Sequence, residues 1–334
     1  MSAAQPGTSV GRAGEPPSRR RAHVVGALVG LVLGPPALAF LASGAQSLVT
    51  GSGGVDGLAG WPWLLAGVVL LVGIAATAAF ASSLALVVAG LWAVVPGLVG
   101  GATARALLSG PGPLELRSAV SVLAFSGVLL AVAVALLGSA LGVHLARRAG
   151  RRQEQVDAAP EPAVPDQDDE VAVSPQPPLP PPSRLWTHVL VAVFSVALSP
   201  ATIVLLGQGV TRLSLTLGVD GGARPWQEPR VLTACALLVV VLALVGWSSL
   251  GAQLAGWLVY LLPVVVAALA IAGQQWALDL LLRLDRAVGV VTMLGTGGLA
   301  MLGLVLVLGG AAGHVARRTG RRLERAERAV PVTG

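Results

Sequence analysis

In a chain of 334 residues that is 54% hydrophobic and 11% charged, the charged share is less than half the ~25% of ordinary soluble domains. That balance excludes a soluble globular protein and points to a polytopic membrane protein with a net charge of +6. All 22 basic residues are arginine and Cys235 is the one cysteine, which excludes a P-loop lysine, a Schiff-base lysine, a Ser-x-x-Lys nucleophile, disulfide frameworks and cysteine-held metal or iron–sulfur centres.

Residues 1–22 are polar, rich in Ser, Gly and Pro, and end near Arg19, Arg20 and Arg21. They have too little apolar surface to offset the entropy of ordering, which predicts a disordered tail. The apolar run 24–48 follows. It is longer than the ~15-residue core of a secretory signal. It also recurs in mid-chain: His23, Pro35, Gly44 and Leu48 are matched at a constant shift of 165 by His188, Pro200, Gly209 and Leu213. A duplicated segment is expected to be a structural helix. Further runs lie at 61–80, 84–108, 118–143, 187–213, 231–247, 250–276 and 287–313. About 20 apolar residues cross a bilayer as helix, so the fold class expected is all-α, a polytopic integral membrane protein with eight transmembrane helices.

The fourth and eighth runs each close on a basic nonapeptide, His144 to Arg152 reading H-L-A-R-R-A-G-R-R and His314 to Arg322 reading H-V-A-R-R-T-G-R-R, identical at seven of nine positions. Val55-Asp56-Gly57 with Pro62-Trp63 is answered by Val219-Asp220-Gly221 with Pro225-Trp226. Ser82-Ser83-Leu84, Ala89-Gly90 and Pro96 are answered by Ser248-Ser249-Leu250, Ala255-Gly256 and Pro263, the last with one inserted residue. Four crossings per half is an even number, so the expectation is a tandem parallel repeat of two four-helix units. The units are expected at 23–149 and 186–316, joined by a disordered acidic and Pro-rich linker at 150–185 and followed by a basic tail at 317–334. In that linker, Pro178-x-x-Pro181 is more simply a stiff spacer than a ligand for an aromatic groove.

Fifteen arginines fall on the side that holds both tails and the linker, and seven on the other. By the positive-inside rule this places the termini and linker in the cytoplasm and the protein in the cell membrane. Trp61, Trp63, Trp226 and Trp276 then fall at the outer interface, and Trp186 and Trp247 at the inner one. Small residues four apart, Gly26, Gly30 and Gly34, Ser195 and Ser199, and Gly309 and Gly313, are expected at close helix contacts. Pro35, Pro36, Pro96, Pro200 and Pro263 each remove a helical hydrogen bond and are expected to bend their helices.

The pattern Gly295-x-Gly297-x-x-Ala300 matches a dinucleotide fingerprint but lies in an apolar run without a βαβ context, and is set aside. No H-E-x-x-H occurs, and the one G-x-S-x-G, Gly7 to Gly11, lies in the polar tail without the strand-to-helix turn that a nucleophile elbow needs. The carboxylates Asp56, Glu115, Asp220, Glu228, Asp279 and Asp285 fall in outer loops or at helix ends, so no enzymatic activity and no cofactor is expected. The function expected is that of a structural or accessory inner-membrane protein. Its Arg147, Arg148, Arg151, Arg152, Arg317, Arg318, Arg321 and Arg322 would contact anionic lipid headgroups at about 1 kcal/mol each. A membrane-protein partner or a second copy is the companion to expect, with no nucleic acid.

The alternative is a small-solute transporter or channel. Without a charged residue near the middle of a run to mark an ion pathway, it would depend on uncharged groups such as Gln46, Gln208, Thr211, Gln253, Gln274 and Gln275. The four histidines of the chain, His23, His144, His188 and His314, all belong to the repeat and all fall at the cytoplasmic end. If the first and last helices of a half are neighbours, His23 approaches His144 and His188 approaches His314. Such pairs are candidates for a metal or for sensing pH, although the adjacent arginines disfavour a bound cation and favour a simpler role as interfacial anchors.

Overall fold

The computed structural model describes residues 19–50, 60–158, 184–216 and 224–329, and every regular element among them is helical. The loops carrying Asp56 and Asp220, the tail to residue 18 and the segment 159–183 lie outside the described residues. Helices α1 (Arg19–Thr50) and α2 (Gly60–Phe80) follow the first two apolar runs, and α1 continues through Pro35 and Pro36.

The third run is not one rod. Helices α3 (Leu84–Val99) and α4 (Gly101–Ser109) meet at 105°. Pro96 withdraws a backbone donor and Gly100 adopts φ 56°, a left-handed value that costs glycine little. The 16 residues of α3 reach about 24 Å on their own. The fourth run is divided too, into α5 (Leu114–Phe125) and α6 (Val128–Asp157), at Gly127 with φ 79°.

The second half opens with α7 (Arg184–Thr216), then α8 (Pro229–Ala243), which tightens into a 3₁₀ turn at Leu244–Gly246. Next come α9 (Ser249–Leu254), a π-helical segment (Ala255–Leu261) and α10 (Leu262–Ile271), which together make one long element. The π segment falls where the sequence has its extra residue between Gly256 and Pro263. A widened turn absorbs a one-residue insertion without ending the helix.

Helix α11 (Gln275–Val288) mixes Asp279, Arg283, Asp285 and Arg286 with leucines and exposes Trp276, Leu278 and Leu282. The eighth run is thereby shortened: α12 (Val290–Gly295) ends at a break where Gly297 has φ 74°, and α13 (Gly298–Ala329) follows. Among the described residues, seven helices are long and apolar enough to cross a membrane, or eight if the bent α3–α4 pair is one span.

Helices α6 and α13 form the centre. In their most apolar stretches 72% and 67% of residues are buried, against 33% to 44% in the other spans. They run parallel and touch backbone to backbone: a side chain on Gly150 would strike the Arg317 carbonyl, and one on Gly320 the Arg147 carbonyl. Each of these contacts is the other with its residues exchanged at a shift of 170 positions. The polar contacts beyond them pair in the same way. Arg325 Nε donates to Glu154 at 2.7 Å while Gln155 Nε2 donates to Glu324 at 3.0 Å. Arg151 meets Glu327 at 3.3 Å while Arg321 meets Asp157 at 3.0 Å.

This ladder explains why α6 runs on to Asp157, into the stretch expected to be linker, and α13 to Ala329, into the expected tail. Their arginine-rich ends are apolar on neither side alone but satisfy each other's charges.

The small-residue stripes are contact surfaces. A Cβ on Gly26 would meet Ser82 Cβ at 3.0 Å and one on Gly34 would meet Ala89 Cα at 3.1 Å, so α1 lies directly on α3. Ser195 receives Gly251, whose Cβ would lie 2.5 Å from the serine oxygen, and Gly309 abuts Ser139. Without a hydrophobic drive between helices in lipid, this close approach is what holds such a bundle together. Gln46, one of the uncharged polar candidates, is used structurally: its Nε2 donates to the carbonyls of Ala119 at 3.1 Å and Thr296 at 3.3 Å, tying α1 to α5 and to the break before α13.

Candidate functional site

At the arginine-rich end, the apolar sequence of α6 stops after Val143 and that of α13 after Gly313, and the nonapeptides begin. One turn into each, an arginine points back into the bundle. Arg147 donates from Nη2 to the carbonyls of Ala78 at 2.7 Å and Ala79 at 2.9 Å, the C-terminal turn of α2. Arg317 donates from Nη2 to Gly246 at 2.5 Å, at the end of the turn that closes α8. The last carbonyls of a helix lack intrahelical donors and carry partial negative charge, so a guanidinium fork is a matched cap.

At the same level, the first helix of each half meets the start of the third. His23 Nδ1 and the Ser82 hydroxyl are hydrogen-bonded at 2.8 Å, and His188 Nδ1 and the Ser248 hydroxyl at 2.7 Å. Both serines are buried and both also accept the backbone N–H two residues on, Leu84 at 3.2 Å and Leu250 at 3.3 Å. Ser248 is thus the N-cap of α9, Ser82 stands one residue before Ser83, the N-cap of α3, and each serine anchors a histidine.

These elements enclose two clefts. The first, about 340 Å³, has His23, His144, Arg147, Arg148 and Arg151 on its walls, with Leu323 of α13 opposite. The second, about 420 Å³, has His188, His314, Arg317, Arg318 and Arg321, with Gln153 of α6 opposite. The two histidines and three arginines of the second occupy places that match those of the first. One difference is Trp247 at the rim of the second where the first has Ala81.

Volumes of this size are at the low end of small-molecule sites, about 300–1,000 Å³. Arg151 and Arg321 are fixed by their ion pairs with Glu327 and Asp157, whereas Arg148 and Arg318 are exposed on the cleft walls. Below the clefts, Glu154 is buried, and its hydrogen bond from Arg325 holds its carboxyl below the ordinary carboxylate range.

The eight arginines expected to face headgroups therefore divide by task. Arg147 and Arg317 cap helices, Arg151 and Arg321 pair across the α6–α13 contact, and Arg148, Arg152, Arg318 and Arg322 are exposed. The histidines come together as the pairs His23 with His144 and His188 with His314, one pair to each cleft. Among the described residues no group of three or more His, Cys, Asp or Glu is placed to hold a metal ion.

The serine partners of the histidines had a signal in the sequence, since Ser82 and Ser248 occupy matching places in the two halves. The inward turn of Arg147 and Arg317 had none, because it depends on where the second helix of each half ends. No family model, curated protein or solved structure matches the chain.

Proposed function

We propose that this chain is a structural or accessory protein of the cell membrane, with both termini and the linker in the cytoplasm and its arginine-rich end held against anionic lipid headgroups. In this reading it is a tandem parallel repeat of two four-helix units about a pseudo-twofold axis along the membrane normal. The observation that carries it is the central α6–α13 pair. Transporters built from repeats place their substrate path between those repeats. Here that position is filled by two helices meeting backbone to backbone at Gly150 and Gly320. The exchanged contacts on this pair, glycine for glycine and ion pair for ion pair, are what a parallel repeat would produce.

The sidedness draws on the fifteen-to-seven arginine imbalance. Reporter fusions after Arg152, Gly221 and Arg328 test it: the first and third should report cytoplasm and the second the opposite side. A periplasmic signal after Arg152 would refute the topology.

A small-solute transporter is the second reading, favoured by the hydroxyls of Tyr260, Ser199 and Thr202 buried together at the π segment. Liposomes loaded with a panel of sugars, amino acids and ions separate the two. Flux above that of protein-free vesicles would overturn the structural reading.

A further inference from the structure

We propose that each of the two clefts is a binding site for one phosphate group. The proposal rests on the reading that the arginine-rich end lies at headgroup depth, where such a group is offered either by an anionic phospholipid or by free phosphate.

The tautomer of the histidines decides between an anion and a cation. The Ser82 oxygen accepts the Leu84 N–H, and its hydroxyl proton can go to Nδ1 of His23 at 2.8 Å, the arrangement that gives this buried hydroxyl both an acceptor and a donor. A neutral imidazole that accepts at Nδ1 carries its own proton at Nε2. The ring is then a donor with no lone pair left for a metal, and its donor suits an anionic oxygen. The same holds for His188, through Ser248 and Leu250. The hydrogen bond made by one ring nitrogen fixes the tautomer presented by the other.

The arginines supply the charge. Arg147 spends its terminal nitrogens on the α2 carbonyls, and its buried Nε has no partner. Arg151 is held in place by Glu327, and Arg148 is exposed on the wall with its full charge available. Guanidinium groups bind phosphate through paired, charge-assisted hydrogen bonds, which a lone ammonium does not match. That two clefts keep the same five side chains, while the opposite wall varies from Leu323 to Gln153, ties the arrangement to the ligand side of the cleft. Trp247 at the rim of the second cleft suits the headgroup region, where an indole ring is at home.

The test is native mass spectrometry of the full chain released from mixed micelles, with binding counted in two arms. One arm adds inorganic phosphate. The other adds phosphatidic acid in a phosphatidylcholine background. The expected count is two saturable ligands per chain in at least one arm, and the arm that binds identifies the source. Arg148→Gln should leave one high-affinity site, Arg318→Gln the other, and the double variant none, each loss being at least about tenfold in affinity, as for a charge-assisted hydrogen bond. Arg152→Gln, on the same helix but off the cleft wall, should keep the count at two; circular dichroism and melting confirm that each variant is folded.

No saturation at two in either arm overturns the proposal, as does equal loss from Arg152→Gln and Arg148→Gln, which would mean diffuse charge attraction. Failure of the wider reading looks different. Solute flux in liposomes would sink the structural role while leaving two phosphate sites intact, and unsaturable anionic-lipid association untouched by Arg148→Gln and Arg318→Gln would keep the role and sink the sites.

Discussion

Replacing Gly150 or Gly320 with alanine sets a methyl carbon against backbone that cannot rotate away. A Cβ on Gly150 lands on the carbonyl of Arg317 with its Cα at 3.2 Å, and one on Gly320 lands on the carbonyl of Arg147 with its Cα at 3.4 Å. Carbon atoms are comfortable at about 3.5–4.0 Å, so either substitution forces α6 and α13 apart. Overpacking of this kind costs about 1–3 kcal/mol, offset by up to about 1 kcal/mol because alanine is the better helix former. Because the atoms struck are rigid backbone, the upper part of that range, about 2–3 kcal/mol, applies, and the expected net loss is about 1–2 kcal/mol for each variant.

The two glycines share one crossing. Once the first methyl has separated the helices the second meets less resistance, and the double variant should fall short of the sum by about 0.5 kcal/mol or more. Reversible unfolding in mixed micelles, titrated with a denaturing detergent and followed by tryptophan fluorescence, reads all three values. Single variants as stable as the parent, or a double variant that is strictly additive, would refute the backbone-to-backbone packing.

Arg147→Met and Arg317→Met keep much of the side-chain volume but strip the carbonyl caps from α2 and from the turn after α8, and each should lower stability by about 1.5–3 kcal/mol in the same assay; an unchanged midpoint would refute the capping role. Gly127→Ala and Gly297→Ala place an L-residue at φ 79° and 74°, and each should cost about 1–2 kcal/mol, measured as a lower melting temperature; unaltered melting would mean that the breaks before α6 and α13 relax freely. The Glu154 carboxyl is held below its ordinary value of 4.5 by Arg325, so its contribution is complete at neutral pH and is lost as pH falls below that value. Glu154→Gln should flatten the acid limb of the stability curve relative to the parent, and superimposable limbs would refute the linkage.

That the chain is all helix, with seven to eight helices long and apolar enough to cross a membrane, was legible because each apolar run is about a bilayer's worth of residues, and the serines that meet His23 and His188 had a signal in the matching Ser82 and Ser248. The interruptions were not. Glycine is common in membrane helices, and nothing local separates Gly127 and Gly297, which take left-handed backbone, from Gly30 or Gly142, which stay helical and serve as contact points. The extra residue before Pro263 was visible as an offset, but whether it became a kink, a loop or a π turn depends on neighbours that supply the displaced hydrogen bonds. The basic clusters were equally visible, yet their division of labour was not. Arg147 and Arg148 are adjacent and chemically identical, and only the 100° turn between successive helical positions sends one to the end of α2 and leaves the other exposed.

Fourteen residues of α6 stand beyond its apolar stretch as uninterrupted helix, a shaft of about 21 Å, clamped to its counterpart on α13 by two pairs of exchanged polar contacts. A clamped shaft transmits torque. Neither helix breaks between its tip and the glycine at its far end, so a load applied at the tip is carried through the whole thickness of the bundle to Gly127 and Gly297. Among the described residues, the two clamped shafts thus join the arginine-rich end to the left-handed turns at Gly127 and Gly297 without a break.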